Sequence, residues 1–255
     1  MMKGTILENA GRAQVLRAPF VHAVIDDALD PALFDTLKAC RPTMAGQNGV
    51  SGMDGQVPAK GNVRIPISAK LFRDLEFYPT CWREFATRHI KADIYFAIRA
   101  LFGDLWPENQ PKLVEGQSRF GLLGADDFEN HDVLCDARLE LISPGGVSGS
   151  HRRAHLDAPN RLFSALLYFR NDDDDTKGGG LDLFAWKNGP VLKAKSAFEL
   201  GDDAVRRVVT VPYKANRLVI FPNCINALHG AEPRDASIHE RAYMFITAEM
   251  QNDWF

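Results

Sequence analysis

The spacing of apolar positions changes character near the middle of the chain. Up to about residue 105 the pattern is mixed and partly helical. Val21-His22-Ala23-Val24-Ile25 reads as a strand ended by Asp26-Asp27. Asp30-Pro31-Ala32-Leu33-Phe34 then predicts a helix with Asp30 as N-cap and Pro31 at the first helical position, ending before Pro42. From Thr80 to Phe102 the apolar residues Trp82, Phe85, Ile90, Ile94, Ile98 and Leu101 fall roughly on one face of a helix. From about residue 135 onward, short β-rich runs recur between turn residues: Ala137–Ile142, Arg161–Arg170, Leu181–Trp186, Val205–Tyr213, Arg217–Pro222 and Arg241–Glu249. Pro144-Gly145-Gly146 and Gly178-Gly179-Gly180 are breakers between such runs. The expected architecture is α+β, with a β-sandwich in the C-terminal half and N-terminal helices packed on one sheet.

Between the two regimes, Met44 to Asn62 holds Gly46, Gly49, Gly52, Gly55 and Gly61. Glycine at that density disfavours regular structure, which leaves a plain surface loop or a lid over a site. The Asp172–Asp175 run lacks the glycine and terminal glutamate of a calcium loop and reads as a solvated hairpin loop.

Composition narrows the class of partner. The 255 residues carry a formal net charge of -3 with 45% hydrophobic residues, values of an ordinary globular chain. Proteins that coat nucleic acid or anionic membranes usually carry a basic excess, so neither partner is expected. No run approaches the roughly 18 apolar residues of a membrane span, and no signal peptide is read at the N-terminus, so a cytoplasmic location is the default expectation. Cys40, Cys81, Cys135 and Cys224 form no CxxC pair and are expected to be four thiols in a reducing compartment.

The candidate chemistry lies in His155-Leu156-Asp157 and His229. Residues i and i+2 of a strand project to one side, so His155 and Asp157 can present an imidazole and a carboxylate to one metal ion. With His229, which follows the apolar strand Arg217–Phe221, they make the two-histidine, one-carboxylate triad that suits non-haem Fe(II). His151 and His155 stand at i, i+4, but the glycines and proline before them disfavour the helix a zinc pair would need. His22, His89 and His131 show no partner pattern. Arg241 interrupts an apolar strand, and a buried arginine needs an anion; Arg234 is its nearest competitor.

The sequence around these residues resembles the Fe(II)/2-oxoglutarate-dependent dioxygenase superfamily, and within it the prolyl-hydroxylase-like branch. The features are His155-Leu156-Asp157-Ala158-Pro159-Asn160, then Leu166-Leu167-Tyr168-Phe169, Gly179-Gly180-Leu181-Asp182-Leu183-Phe184, the distal His229 and the downstream Arg241. The resemblance covers roughly residues 135 to 250, and more loosely the strand-then-helix opening from Phe20 to Leu37. It implies a double-stranded β-helix (jelly-roll, cupin-like) core over 135–250, supported by a mainly helical 1–134, the whole 1–255 forming one dioxygenase domain. It also implies His155, Asp157 and His229 as iron ligands, Arg241 as the partner of the 2-oxoglutarate C5 carboxylate and Tyr168 as its hydroxyl support.

The implied reaction hydroxylates an unactivated C–H bond of a peptidyl residue or a small metabolite. It uses Fe(II), 2-oxoglutarate and O2, with ascorbate as a potential reductant, and releases succinate and CO2. Asp157 argues against the halogenase variant, which loses that carboxylate. Tyr243 departs from the Ser or Thr that members often place two residues after the arginine. Two alternatives use the same residues differently: a cupin-like metal enzyme that does not use 2-oxoglutarate, and a non-catalytic β-sandwich binding module. The residues assign no oligomeric state.

Overall fold

The computed structural model describes residues 2–47, 63–144, 152–191 and 199–255. Among them are four α-helices: α1 (Pro31–Ala39), α2 (Ala69–Asp74), α3 (Thr80–Arg88) and α4 (Ala92–Phe102). The same residues hold eleven strands: β1 (Gln14–Leu16), β2 (His22–Ile25), β3 (Arg64–Ile67), β4 (Phe120–Leu122), β5 (Val133–Ile142), β6 (Arg161–Tyr168), β7 (Leu181–Trp186), β8 (Val205–Val211), β9 (Leu218–Pro222), β10 (His229–Ala231) and β11 (Arg241–Glu249).

Two sheets face each other. The major sheet runs β1-β2-β9-β6-β11-β5-β3, with β4 added in parallel beside β5; the minor sheet runs β10-β7-β8. This is the double-stranded β-helix expected for the C-terminal half, although the major sheet also takes β1 to β4 from the N-terminal portion, expected to be mainly helical. Of these only β2 matches a strand read from sequence, Val21–Ile25; β1, β3 and β4, three or four residues long, are too short to leave a period-2 signal.

Strand alternation divides the major sheet into two chemistries. Ala137, Leu139 and Leu141 of β5, Ala165 and Leu167 of β6, and Ala242, Met244 and Ile246 of β11 join one apolar core with the helices. The intervening residues point between the sheets, where Leu166, Tyr168, Phe221 and Phe245 pack with Leu181, Leu183 and Val211 of the minor sheet.

Helix α1 is built as its sequence predicts: the Asp30 side chain accepts from the Ala32 and Leu33 amides, and Pro31 opens the helix. The helix expected over Thr80–Phe102 is instead two, α3 and α4. The cause is His89. A continuing helix would give the Phe85 carbonyl to the His89 amide, but the His89 ring takes it through Nδ1 at 2.6 Å, and the His89 amide turns back to Ala86. Nε2 of the same ring accepts from the Ile6 amide at 3.0 Å, so His89 does have partners, fixed in one neutral tautomer.

Two further expectations change. Cys40 and Cys81 come together as a disulfide pair where the end of α1 meets α3, their Cα atoms 7.9 Å apart, which leaves Cys135 and Cys224 as the thiols. Asp174 is buried rather than solvated: Arg234 Nη2 lies 2.9 Å from its carboxylate, and its backbone carbonyl accepts from Arg170. Of the glycine-rich segment 44–62, read as a loop or lid, only Met44–Gln47 are described, where the Met44 amide donates to Glu240. His151 and Gly145–Ser150 also lie outside the described residues. No helix among the described residues is long and apolar enough to cross a membrane.

Candidate metal and co-substrate site

His155 and His229 meet through their backbones. The His155 amide donates to the His229 carbonyl at 2.9 Å, and the His229 amide returns the bond at 3.1 Å. This bridge extends the minor sheet past β10. It needs Gly230, because a Cβ there would come within 2.9 Å of the Arg152 and Arg153 backbone.

Each imidazole is oriented by a carbonyl two residues upstream in the chain. His155 Nδ1 is 2.8 Å from Arg153 O, and His229 Nδ1 is 3.0 Å from Ala227 O. Nδ1 therefore carries the proton in both rings, and both Nε2 lone pairs are left for a ligand. They face Asp157: His155 Nε2 is 4.0 Å from Oδ1 and His229 Nε2 is 3.6 Å from Oδ2. One ligand atom from each of the three lies within 4.8 Å of the others, and all three residues are buried.

Protonation favours a divalent cation at this point. Burial pushes His155 down to about 3, helped by His229 and Arg152 nearby, and burial lowers His229 as well. Burial alone would raise Asp157. The neighbouring His229, Arg161 and His155 and the Ser164 hydroxyl outweigh it and hold the carboxyl below its ordinary range. At neutral pH the cluster is thus two neutral imidazoles and one carboxylate, the donor set for a borderline divalent metal. A second layer fixes the carboxylate: Ser164 Oγ donates to Oδ2 at 2.5 Å, Asn223 Nδ2 donates to Ser164 Oγ at 3.2 Å, and Arg161 Nη1 lies 3.3 Å from Oδ1. Ser164 and Asn223 were not singled out from sequence, whereas Arg161, with Arg152 and Arg153, flanks the HxD motif and reads there either as an attractor of an anionic substrate or as a plain surface arginine. Ser164 is visible only as the polar residue of an otherwise apolar run, Leu162 to Phe169.

The cluster opens into a cavity of about 370 Å³ between the sheets, lined also by Arg241, Tyr243 and Phe245. Arg241 is 6% exposed, and its Nε donates to Gly179 O at 2.8 Å. Gly179 presents that carbonyl from the left-handed region, φ 80, and a Cβ there would press on Arg234 at 3.1 Å. The guanidinium lies over the rings of Tyr243, Tyr213 and Tyr168, at 4.7, 5.2 and 5.6 Å from their centroids. No carboxylate pairs with Arg241 among the described residues, whereas its competitor Arg234 is held by Asp174. Tyr168 is fully buried behind Arg241, burial pushes its phenol up, and its hydroxyl has no partner among the described residues. Tyr243 sits opposite Tyr168 in the β11–β6 register, and its ring packs on Arg241 rather than blocking it.

A buried cation without an anion and a buried hydroxyl without a partner are costly unless a ligand satisfies both. Together with the three ligand atoms, they fit a metal ion and a carboxylate-bearing co-substrate.

The comparisons with known proteins agree with this chemistry. The family model of the 2OG-Fe(II) oxygenase superfamily matches residues 142–246. No curated protein matches the sequence. Among solved structures, the fold is similar to a Pseudomonas putida prolyl-4-hydroxylase, at 16% identity with a TM-score of 0.50, covering 98% of this chain and 100% of that one. It is also similar to the non-haem α-ketoglutarate-dependent epimerase SnoN of nogalamycin biosynthesis, at 13% identity with a TM-score of 0.51, covering 90% of this chain and 76% of the other. Residues 142–246 thus match the 2OG-Fe(II) oxygenase superfamily on a prolyl-hydroxylase-like fold, and the cluster they hold is that of a dioxygenase using Fe(II), 2-oxoglutarate and O2.

Proposed function

We propose that the protein hydroxylates an unactivated C–H bond of a peptidyl residue or a small metabolite, releasing succinate and CO2. His155, Asp157 and His229 would hold the iron, and Arg241 and Tyr168 would hold the distal carboxylate of 2-oxoglutarate. The bound iron, with its co-substrate and O2, supplies the oxidising power.

The chain's own residues supply placement. The His155–His229 backbone bridge fixes two ligands, and Ser164 and Arg161 fix the third. Arg241 sets the orientation of the co-substrate, and the tyrosines around it exclude water from that contact. The observation that carries the reading is Arg241: buried, caged by three rings, open to the cavity and without a carboxylate among the described residues. A cupin-like enzyme that does not use 2-oxoglutarate would leave that charge unexplained.

Because β10, β11 and the segment before β6 all contribute, we treat the whole chain as one catalytic unit. The test is succinate formation from 2-oxoglutarate, with and without added Fe(II), in wild type and His229→Ala. Iron-dependent succinate that disappears in the variant supports the reading. Turnover indifferent to iron, or retained by the variant, overturns it.

A further inference from the structure

Three arginines form a row that leads away from the ligand cluster along one wall of the same cavity. Arg161 is nearest, with Nη1 3.3 Å from Asp157 and Nε 2.8 Å from Glu249. Arg161 and Arg138 share the ring of Phe245, at 5.4 and 4.8 Å from its centroid. Arg138 and Arg64 in turn share the carboxylate of Glu140, which is 0% exposed: Arg138 Nε lies 2.7 Å away, and Arg64 holds it through Nε at 2.6 Å and Nη2 at 2.5 Å. Asp136 takes Arg138 Nη1 at 3.3 Å.

These carboxylates use only part of what the guanidinium groups offer. Arg64 Nη1, Arg138 Nη2 and Arg161 Nη2 have no hydrogen-bond partner among the described residues, and none of the three is a buried unsatisfied atom. Each therefore keeps donors open to the cavity. Fold stability does not explain the arrangement, since buried ion pairs are often no more stabilising than apolar packing of the same volume. The result is a wall of donors held rigid from behind by buried carboxylates, which complements a group made only of acceptors. The co-substrate carboxylate has its own arginine in Arg241, whose register partner on β5 is Ile142, four residues along that strand from Arg138.

We propose that this wall seats the prime substrate, and that the substrate carries an oxyanion, a carboxylate or a phosphate, docked against Arg64, Arg138 and Arg161. The proposal rests on the reading of the cavity as the active site.

The test uses the full chain holding Fe(II) and saturating 2-oxoglutarate without oxygen, titrated calorimetrically with benzoate, phenyl phosphate and the neutral benzamide. One of the two anions should bind at least about tenfold tighter than benzamide, and which of them does so tells carboxylate from phosphate. Arg64→Gln, on a half-exposed side chain of an edge strand, should lower that affinity about tenfold while 2-oxoglutarate affinity stays as in wild type; its melting temperature should fall, because buried Glu140 is left with Arg138 alone. Arg138→Lys serves as the second variant. Equal binding of anion and amide, unchanged anion affinity in both variants, or a parallel loss of 2-oxoglutarate affinity in Arg64→Gln would each overturn the proposal. Anion selectivity in a protein that does not bind 2-oxoglutarate would uphold the wall and overturn the co-substrate assignment instead.

Discussion

Ser164 donates its hydroxyl to Asp157 at 2.5 Å, and Asn223, immediately after the neighbouring strand β9, holds Ser164 in turn. Neither residue is more than 1% exposed, so this relay can turn only with the sheet. Removing the hydroxyl leaves Asp157 with Arg161 and frees one oxygen to rotate. Ser164→Ala is expected to weaken Fe(II) or Mn(II) binding by about 10- to 100-fold. Metal titration followed by calorimetry checks it; wild-type affinity would show that the relay is only packing.

Loss of a ligand should cost more than loss of its support. Asp157→Ala is expected to lower iron-dependent succinate formation by more than about 100-fold, while circular dichroism stays native. Asp157→Glu places the carboxylate one methylene too far and should recover little of it. Restoration of full turnover by glutamate would mean that the ligand geometry is looser than the interatomic distances imply.

The proposed co-substrate contact has two parts, Arg241 and Tyr168, that two variants separate. Arg241→Met should raise the 2-oxoglutarate KM by about 100-fold, because a charge-assisted pair is lost from a buried place. Tyr168→Phe should raise it by no more than about tenfold. Without co-substrate the phenylalanine variant should melt at or above the wild-type temperature, since the buried hydroxyl it removes has no partner among the described residues. A clear fall in melting temperature would show that the hydroxyl is satisfied within the folded chain.

His89 gives a pH dependence independent of the active site. Burial pushes its imidazole down to about 4, whereas in the unfolded chain it titrates near 6.5. Between those values the unfolded state binds more protons, so stability rises with pH through that window, by up to about 3 kcal/mol from this group. His89→Asn should be less stable than wild type near neutrality, and the gap should narrow as pH falls towards about 5. Urea midpoints at both ends of the window measure it; a constant gap would show that the imidazole does not resist protonation.

The candidate cluster was legible because its signals are short-range. His155 and Asp157 share one side of an extended segment, and His229 follows a strand whose apolar run is plain. The long strands were legible for the same reason. The break between α3 and α4 was not, because it depends on an amide at Ile6, 83 positions from His89. The Arg64–Glu140–Arg138 group was hidden in a similar way, since Arg64 reaches β5 from a strand 76 positions earlier. One signal was available. Within β5, Asp136, Arg138 and Glu140 alternate with Ala137, Leu139 and Leu141, a charged face in a strand otherwise apolar enough to pass for core.

That alternation makes the β5–β11 ladder sensitive to slippage. Nine residue pairs run unbroken from Arg241–Ile142 to Glu249–Leu134. A slip of one residue would turn both faces of β5 over, pressing Arg138 and Glu140 into the helices and Leu139 and Leu141 into the cavity. The charged face therefore acts as a keel during folding: misregistered chains would bury bare charges and be rejected before the cavity could close.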